Sequence, residues 1–163
     1  MPDFLMWPDQ RLRTPALAVE VIDDDIRDHW NLMIEKMDAM PGYGLAAVQL
    51  GIMKRLAVVD CSIERGQAIR MANPEIIDAS DDLFEHEEAS PNLPGLSAKV
   101  RRPNKVMVRY LSPQGMMDRR EFEGIWATSV QHQIDHLNGK MFFDRLSSVK
   151  RKMLLKKWQK AGK

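Results

Sequence analysis

The sequence predicts an α+β domain, and three observations indicate this fold class. Segments with the apolar spacing of amphipathic helices occur near the start, before residue 138 and at the end of the chain. Short segments that alternate or contain β-branched residues lie between them, bounded by turn residues. Because no internal repeat and no long linker divides the 163 residues, we expect one domain over residues 1–163.

The first predicted helix begins after a run of aspartates that can cap it, residues 23–25. Apolar residues follow at spacings of three and four, and Pro41 with Gly42 ends the helix. The apolar positions are Ile26, Trp30, Met33, Met37 and Met40. Methionines at helical spacing are more typical of a core than of an adaptable binding surface, so this stripe is predicted to be buried.

Strands are predicted in the middle of the chain. Residues 56–60 form a short apolar strand, and residues 70–78 a strand region broken by turn residues. Residues 105–110 alternate strictly and are predicted to pair with residues 119–123 across the turn at 112–115. A second helix is predicted over residues 125–137, because no breaker occurs before Asn138 and Gly139.

The last predicted helix, residues 147–163, lies in a strongly basic segment. From Arg145 onward there are eight basic residues and no acidic one, so all 23 acidic residues precede it. This asymmetry indicates an anionic partner, although a solvated helix face would give the same composition. The single cysteine, Cys61, excludes an intramolecular disulfide and is expected to be structural. No apolar run approaches the roughly 18 residues of a membrane span, so we expect a cytoplasmic protein that binds neither membrane nor DNA.

Two histidines in the second helix have the spacing of metal ligands. His132 and His136 are four residues apart, which places two imidazoles on one helix face. The pattern differs by one residue, Gln133, from His-Glu-x-x-His, in which the glutamate is a general base beside a metal. The spacing alone also occurs in protein cores.

Together with two other segments, this motif resembles the peptide deformylase family. Residues 42–49 match the family's Gly-x-Gly-Leu-Ala-Ala-x-Gln, and residues 131–139 match its His-Glu-x-x-Asp-His region except at Gln133. Similarity also covers residues 8–9, 12–13, 94–98 and 143–146. The resemblance implies a deformylase-like fold, with short antiparallel strands around a central helix that bears both histidines. It also implies a divalent metal, iron or zinc.

The second family motif, Glu-Gly-Cys-Leu-Ser, aligns with residues 88–92 and is largely changed. The resemblance places Ser90 where the third metal ligand is a cysteine, beside His132 and His136. It gives Gln133 the place of the catalytic glutamate, and Gln49 and Pro91 the places of the oxyanion donors. A hydroxyl is a poor ligand for such ions, glutamine cannot transfer a proton, and proline has no N–H. We therefore expect deformylase activity to be lost or strongly weakened, with metal absent or weakly bound.

The resemblance also implies a groove for an N-terminal peptide, formyl-methionyl or another. Its expected contact residues are Tyr43, Gly44, Leu45, His86, Ile125 and His132. The basic C-terminal helix resembles a family extension that docks on the ribosome, so a ribosomal partner is expected. A structural or interaction role with an unused groove remains open.

An alternative is an active metal-dependent deformylase, or a related amide hydrolase, with a rearranged ligand set. In a strand, residues 86, 88 and 90 share one face, so His86 or Glu88 could supply the third ligand. Glu88 or a water molecule could then act as the base. His86 as an ordinary polar wall residue is the simpler interpretation.

Overall fold

The computed structural model describes residues 3–162, and within them it contains three α-helices and seven β-strands. The helices are α1 (Asp24–Ala39), α2 (Ile125–Leu137) and α3 (Ser148–Lys160). The strands are β1 (Gly44–Ala46), β2 (Leu56–Val59), β3 (Ile69–Ala79), β4 (Leu83–Ala89), β5 (Ser97–Pro103), β6 (Lys105–Leu111) and β7 (Met117–Glu123). The predicted α+β class is confirmed.

The strands form two antiparallel sheets. Five of them pair in the order β1-β2-β3-β6-β7, and β4 pairs with β5 in a second, two-stranded sheet. The predicted hairpin is confirmed, since Lys105 lies opposite Glu123 and Leu111 opposite Met117. The prediction omitted β1 and the β4–β5 hairpin, because β1 has only three residues and β4 is rich in glutamate.

Helix α1 begins where Asp23 accepts a hydrogen bond from the N–H of Ile26 at 3.0 Å. Met33 and Met37 are fully buried beneath β1 and β2, as predicted for core methionines. Met40 differs from the prediction, because it is 38% exposed and lines a cavity beside α2.

Helix α2 is the central helix, and every residue from Ala127 to Leu137 is buried. One side packs on the five-stranded sheet through Val130 and Ile134, while another faces the cavity. Helix α2 ends at Leu137, and the chain turns at Gly139, whose φ of +78° suits glycine and where a Cβ would lie 2.6 Å from the carbonyl oxygen of Arg13. This close approach ties the end of α2 to the N-terminal segment.

Helix α3 buries Leu154 and Trp158 against Phe142 and Phe143 and exposes most of its lysines. Ser147 caps the helix by accepting a hydrogen bond from the N–H of Lys150 at 3.2 Å. Among the described residues, no helix combines the length and apolar character required to cross a membrane.

Candidate active site

A cavity of about 390 Å³ lies between α2, β4 and the segment that leads into β1. It brings together nine residues predicted as functional from the sequence: Tyr43, Gly44, Gln49, His86, Ser90, Pro91, Ile125, His132 and Gln133. Two predicted residues are not on its wall. Leu45 is buried in the core against α1, and His136 lies fully buried behind His132.

The wall also includes residues that the sequence analysis did not select. Thr128 and Ser129 line the cavity together with Ile125, His132 and Gln133. These five positions on α2 are separated by the three- and four-residue steps of one helix face. Counting back from His132 in such steps would have identified both residues.

His132 lines the cavity and His136 is buried directly behind it, with their Nε2 atoms 3.0 Å apart. The Nδ1–H of His132 donates a hydrogen bond to Glu88 at 2.8 Å. Because a carboxylate only accepts, this contact fixes the tautomer of His132 and leaves its Nε2 facing His136. A carboxylate behind a histidine is the arrangement that orients imidazole ligands in metal sites.

Glu88 belongs to a buried network of charges. Arg102 donates hydrogen bonds to both of its carboxylate oxygens, at 2.7 and 2.9 Å, and a third to Asp135 at 2.9 Å. Asp135 in turn accepts two hydrogen bonds from Arg145. Burial alone would raise the pKa of Glu88, but the hydrogen bonds from His132 and Arg102 outweigh it and lower the pKa to about 2. Glu88 is therefore an ionised carboxylate.

His136 is completely buried, and burial is the main reason why its pKa lies well below the ordinary value of 6.5. The nearby positive charge of Arg102 lowers it further. Its Nδ1 has no hydrogen-bond partner among the described residues. The imidazole is therefore neutral, which is the form that binds a metal.

Ser90 and Gln49 are held by hydrogen bonds within the protein. The hydroxyl of Ser90 donates to Asn92 Oδ1 at 2.9 Å and accepts from Gln49 Nε2 at 3.3 Å. Gln49 Nε2 also donates to Asn92 Oδ1 at 2.8 Å, and its Oε1 accepts from the N–H of Ala46. The weak contact with Ser90 is the one that Gln49 could exchange for a ligand oxygen. The adjacent Pro91 lines the cavity without an N–H.

Gln133 occupies the position of the expected proton carrier and is 4% exposed. Its Oε1 is buried and has no hydrogen-bond partner among the described residues, as is also true of Thr128 Oγ1. A Cβ on Gly44 would lie 2.7 Å from Gln133 Nε2 and 2.5 Å from Ser129 Oγ. Glycine at position 44 therefore makes room for the side chains of α2.

The structure does not support His86 or Glu88 as the third ligand in a rearranged set. His86 lines the cavity near Phe84 and Tyr43, with both ring centroids 6.2 Å away. Glu88 faces the outer nitrogen of His132 and is occupied by Arg102. Within residues 3–162, no three histidine, cysteine, aspartate or glutamate side chains are placed to hold a metal ion together.

Cys61 lies behind the cavity wall rather than in the site. Its Sγ is 3.8 Å from the carbonyl oxygens of Tyr43 and Ile125. Burial raises the pKa of this thiol to about 12, so it is neutral at physiological pH. It is therefore a packed thiol, as expected.

The imidazoles of His132 and His136 are suited to bind a divalent cation as two ligands. The paired Nε2 atoms and the carboxylate behind His132 are the elements that such a site needs. Ser90 and solvent could contribute only neutral oxygens. The donor set therefore resembles a catalytic metal site with open positions, but it lacks the thiolate.

Comparison with known proteins identifies the family. Residues 1–152 match the family described as polypeptide deformylase, and the chain belongs to this family of metal-dependent hydrolases. It is 41% identical to peptide deformylase 1 of Pseudomonas syringae pv. tomato, over 99% of this chain and 96% of that protein. It is 40% identical to the peptide deformylase of Methylocella silvestris, over 98% and 84%.

Solved structures lead to the same conclusion. A peptide deformylase from Legionella pneumophila superposes with a TM-score of 0.91 at 38% identity, covering 99% of this chain and 95% of that one. A peptide deformylase from Synechococcus elongatus, solved in complex with actinonin, gives 0.89 at 36% identity, covering 96% and 86%. The predicted deformylase-like fold is confirmed.

These comparisons contradict the prediction that deformylase activity is lost or strongly weakened. Relatives of about 40% identity over nearly the full chain are named peptide deformylases, which supports an ordinary deformylase. The prediction gave too much weight to positions 90, 91 and 133. The histidine pair, its carboxylate and the groove are all in place around them. The alternative of an active enzyme agrees better with the findings.

Proposed function

We propose that this protein is a metal-dependent peptide deformylase, which removes the formyl group from the N-terminal methionine of nascent chains. The observation that carries the proposal is the pair of Nε2 atoms 3.0 Å apart, one from His132 on the cavity wall and one from His136 behind it. The hydrogen bond from His132 to Glu88 supports it, because a pre-oriented imidazole is what a metal site requires. Family membership supplies the reaction.

His132 and His136 would hold the cation, iron or zinc, with Ser90 Oγ and solvent as neutral partners. A divalent cation at this point supplies Lewis acidity, which polarises a carbonyl and activates water. Without a thiolate, the set has no negatively charged ligand among its three protein positions. We therefore expect the cation to exchange readily with solution.

The other residues of the site would bind and orient the substrate. Gln49 Nε2 can donate to the formyl oxygen by giving up its 3.3 Å contact with Ser90. Water adds to the formyl carbon, the C–N bond breaks, and the products are formate and a free amine. Because Gln133 cannot carry a proton, the amine takes its proton from solvent in the cavity.

The test is formate release from formyl-Met-Ala-Ser. The protein is purified anaerobically, its metal content is measured, and it is assayed after loading with iron(II) or zinc. We expect formate release that depends on metal and is lost in His136→Ala. If neither metal gives more formate than this variant gives, the proposal is overturned.

We also propose that α3 docks on ribosomal RNA. The support is that the helix buries Leu154 and Trp158 but exposes lysines at positions 150, 152, 156, 157 and 160. A row of cations on one exposed helix is suited to phosphate contacts, whose strength falls steeply with salt.

A further inference from the structure

A second cavity, of about 410 Å³, opens where the turn after α2 meets the N-terminal segment. No described residue lines both this cavity and the candidate active site. Of its six lining residues, three are cations, one is a carboxylate and one is a neutral amide: Arg13, Asn138, Gly139, Lys140, Asp144 and Arg145. The wall therefore carries a surplus of positive charge, and we call this cavity the basic pocket.

The one carboxylate on the described wall is already matched. Asp144 accepts hydrogen bonds from both terminal nitrogens of Arg13, and a nitrogen of Arg151 lies 3.7 Å from its Oδ1. The guanidinium of Arg13 also lies 4.8 Å from the ring centroid of Trp7 and 5.5 Å from that of Phe143, which holds it in place. An entering ligand therefore meets the positive charge of the two other cations.

The free donors of the basic pocket are held by partners outside it. Arg145 donates to Asp135 through Nε and Nη2, at 2.9 and 2.6 Å, and its Nη1 makes no hydrogen bond to a described residue. The side-chain oxygen of Asn138 accepts from Arg55 Nη2 at 2.9 Å, so its NH₂ group is the end that a ligand can use. Lys140 adds an exposed ammonium group.

The backbone carbonyl groups at the end of α2 would repel an anion if they were unpaired. Arginines bind two of them. Arg55 Nη1 donates to the carbonyl oxygen of Leu137 at 2.9 Å, and Arg13 Nη1 donates to that of Gly139 at 3.3 Å. The negative end of the helix is thus covered by cations.

We propose that the basic pocket binds a dianionic phosphate group, either free or as the monoester of a small molecule. Guanidinium and amide N–H groups are suited to phosphate oxygens. Three cations against one carboxylate match a dianion better than the single charge of a phosphodiester. The described wall has no apolar side chain, so the anionic group is the part of the ligand that is recognised. The volume suits a small molecule, whose sites typically measure about 300–1,000 Å³.

Nitrogen-15 NMR of the full chain, at pH 8 in about 0.15 M salt, tests binding and locates it. The probes are inorganic phosphate, glycerol 3-phosphate and dimethyl phosphate, the last a monoanionic diester. We expect both dianions to shift the backbone signals of residues 138–140 and the NH₂ signal of Asn138. They should bind at least about tenfold more tightly than the diester. The dianion that binds more tightly identifies the source, free phosphate or a monoester.

Substitutions then assign the binding to the pocket. Asn138→Asp keeps the oxygen that Arg55 binds and replaces the NH₂ donor by a negatively charged oxygen, so phosphate affinity should fall at least about tenfold. Asn31→Asp is the matched control, because the Asn31 oxygen also accepts from an arginine, Arg70, at 3.3 Å outside the pocket. Lys140→Gln should weaken binding by a smaller factor, because its ammonium is exposed to solvent.

Two outcomes in the unsubstituted protein would overturn the inference, whatever the folding of the variants. One is that the dianions shift no signal of residues 138–140, or shift only signals of α3. The other is that the diester binds as tightly as the dianions. Undiminished phosphate binding in folded Asn138→Asp would also overturn it.

Discussion

Glu88 accepts a hydrogen bond from His132 Nδ1 at 2.8 Å while both of its oxygens are bound by Arg102. The strand β4 thereby sets the orientation of a side chain on α2. The side chains of Glu88 and Arg102 are only 3% and 2% exposed, so the pair is shielded from solvent. This contact joins the stability of the fold to the geometry of the histidine pair.

Removing the carboxylate should therefore destabilise the protein strongly. In Glu88→Ala, Arg102 keeps one partner, Asp135, but loses the carboxylate that matches most of its charge. Breaking a buried ion pair from one side typically costs about 3–5 kcal/mol. The free energy of unfolding in urea measures the effect.

The matched control is Glu85→Ala on the same strand. Glu85 pairs with Arg101 at 3.3 Å, but both side chains are well exposed. An exposed pair contributes at most about 1 kcal/mol, so this variant should unfold almost like the unsubstituted protein. Similar losses in the two variants would show that the Glu88 network is not a buried pair in solution.

The carboxylate of Asp144 should make the stability of the folded protein depend on pH. Burial would raise its pKa, but hydrogen bonds from Arg13 and the N–H of Met141 outweigh it and hold the pKa below its ordinary value of 3.8. A carboxyl group whose pKa is lower in the folded state than in the unfolded state stabilises the folded state at pH values above its unfolded pKa. This stabilisation is lost as the pH falls through the folded pKa. Asp144→Asn should therefore cost stability at pH 6, and the cost should shrink below about pH 4.

Unfolding in urea at several pH values tests this expectation. Asp24→Asn is the control, because Asp24 is 97% exposed in its pair with Arg27. If the cost of Asp144→Asn is the same at pH 6 and pH 3, then Asp144 does not titrate with folding.

Local signals predicted much of the fold. The bounds of α2 follow from an uninterrupted helical segment and the Asn-Gly that ends it, and these are properties of neighbouring residues. Residues 70–78 were predicted as a broken strand. The structure instead has one strand, β3, with register shifts near Asn73, whose φ is +51° and whose side chain bonds both backbone groups of Val19. That partner is 54 residues away, so no local pattern reveals it.

In the candidate site, too, local motifs predicted some residues, whereas contacts between distant parts of the sequence were not predicted. Nine of the residues that line the cavity lie at positions that the motifs indicated, but the motifs do not reveal the side chains that hold them in place. Arg102 reaches Glu88 and Asp135 only because β5 pairs with β4 beneath α2, and nothing in its sequence neighbours indicates this. Likewise, Asn92 joins Gln49 to Ser90 across 43 and 2 residues. Such contacts form between residues that the tertiary structure brings together, so they cannot be predicted from the sequence around any one of them.

The side chain at position 90 should determine how strongly the site binds a metal ion. Ser90→Cys would place a thiolate beside two imidazoles, and thiolates bind zinc far better than neutral hydroxyls do. We expect the zinc affinity to rise by at least about tenfold, measured by competition with a chromophoric chelator. Ser97→Cys, at an exposed position of β5, controls for an added thiol. Equal gains in both variants would place the binding outside the histidine pair.

The basic helix predicts a salt-dependent association with ribosomes. Replacing Lys152, Lys156 and Lys160 by glutamine removes three exposed charges from α3 without touching the buried Leu154 and Trp158. If each charge neutralises a phosphate, co-sedimentation with ribosomes should fall sharply, and its dependence on salt should become shallower. The matched control removes three exposed lysines elsewhere: Lys99, Lys105 and Lys140. If both triple variants lose co-sedimentation equally, the association depends on the overall positive charge of the protein and not on α3. If the α3 variant alone still co-sediments with ribosomes, the exposed face of this helix contacts only solvent.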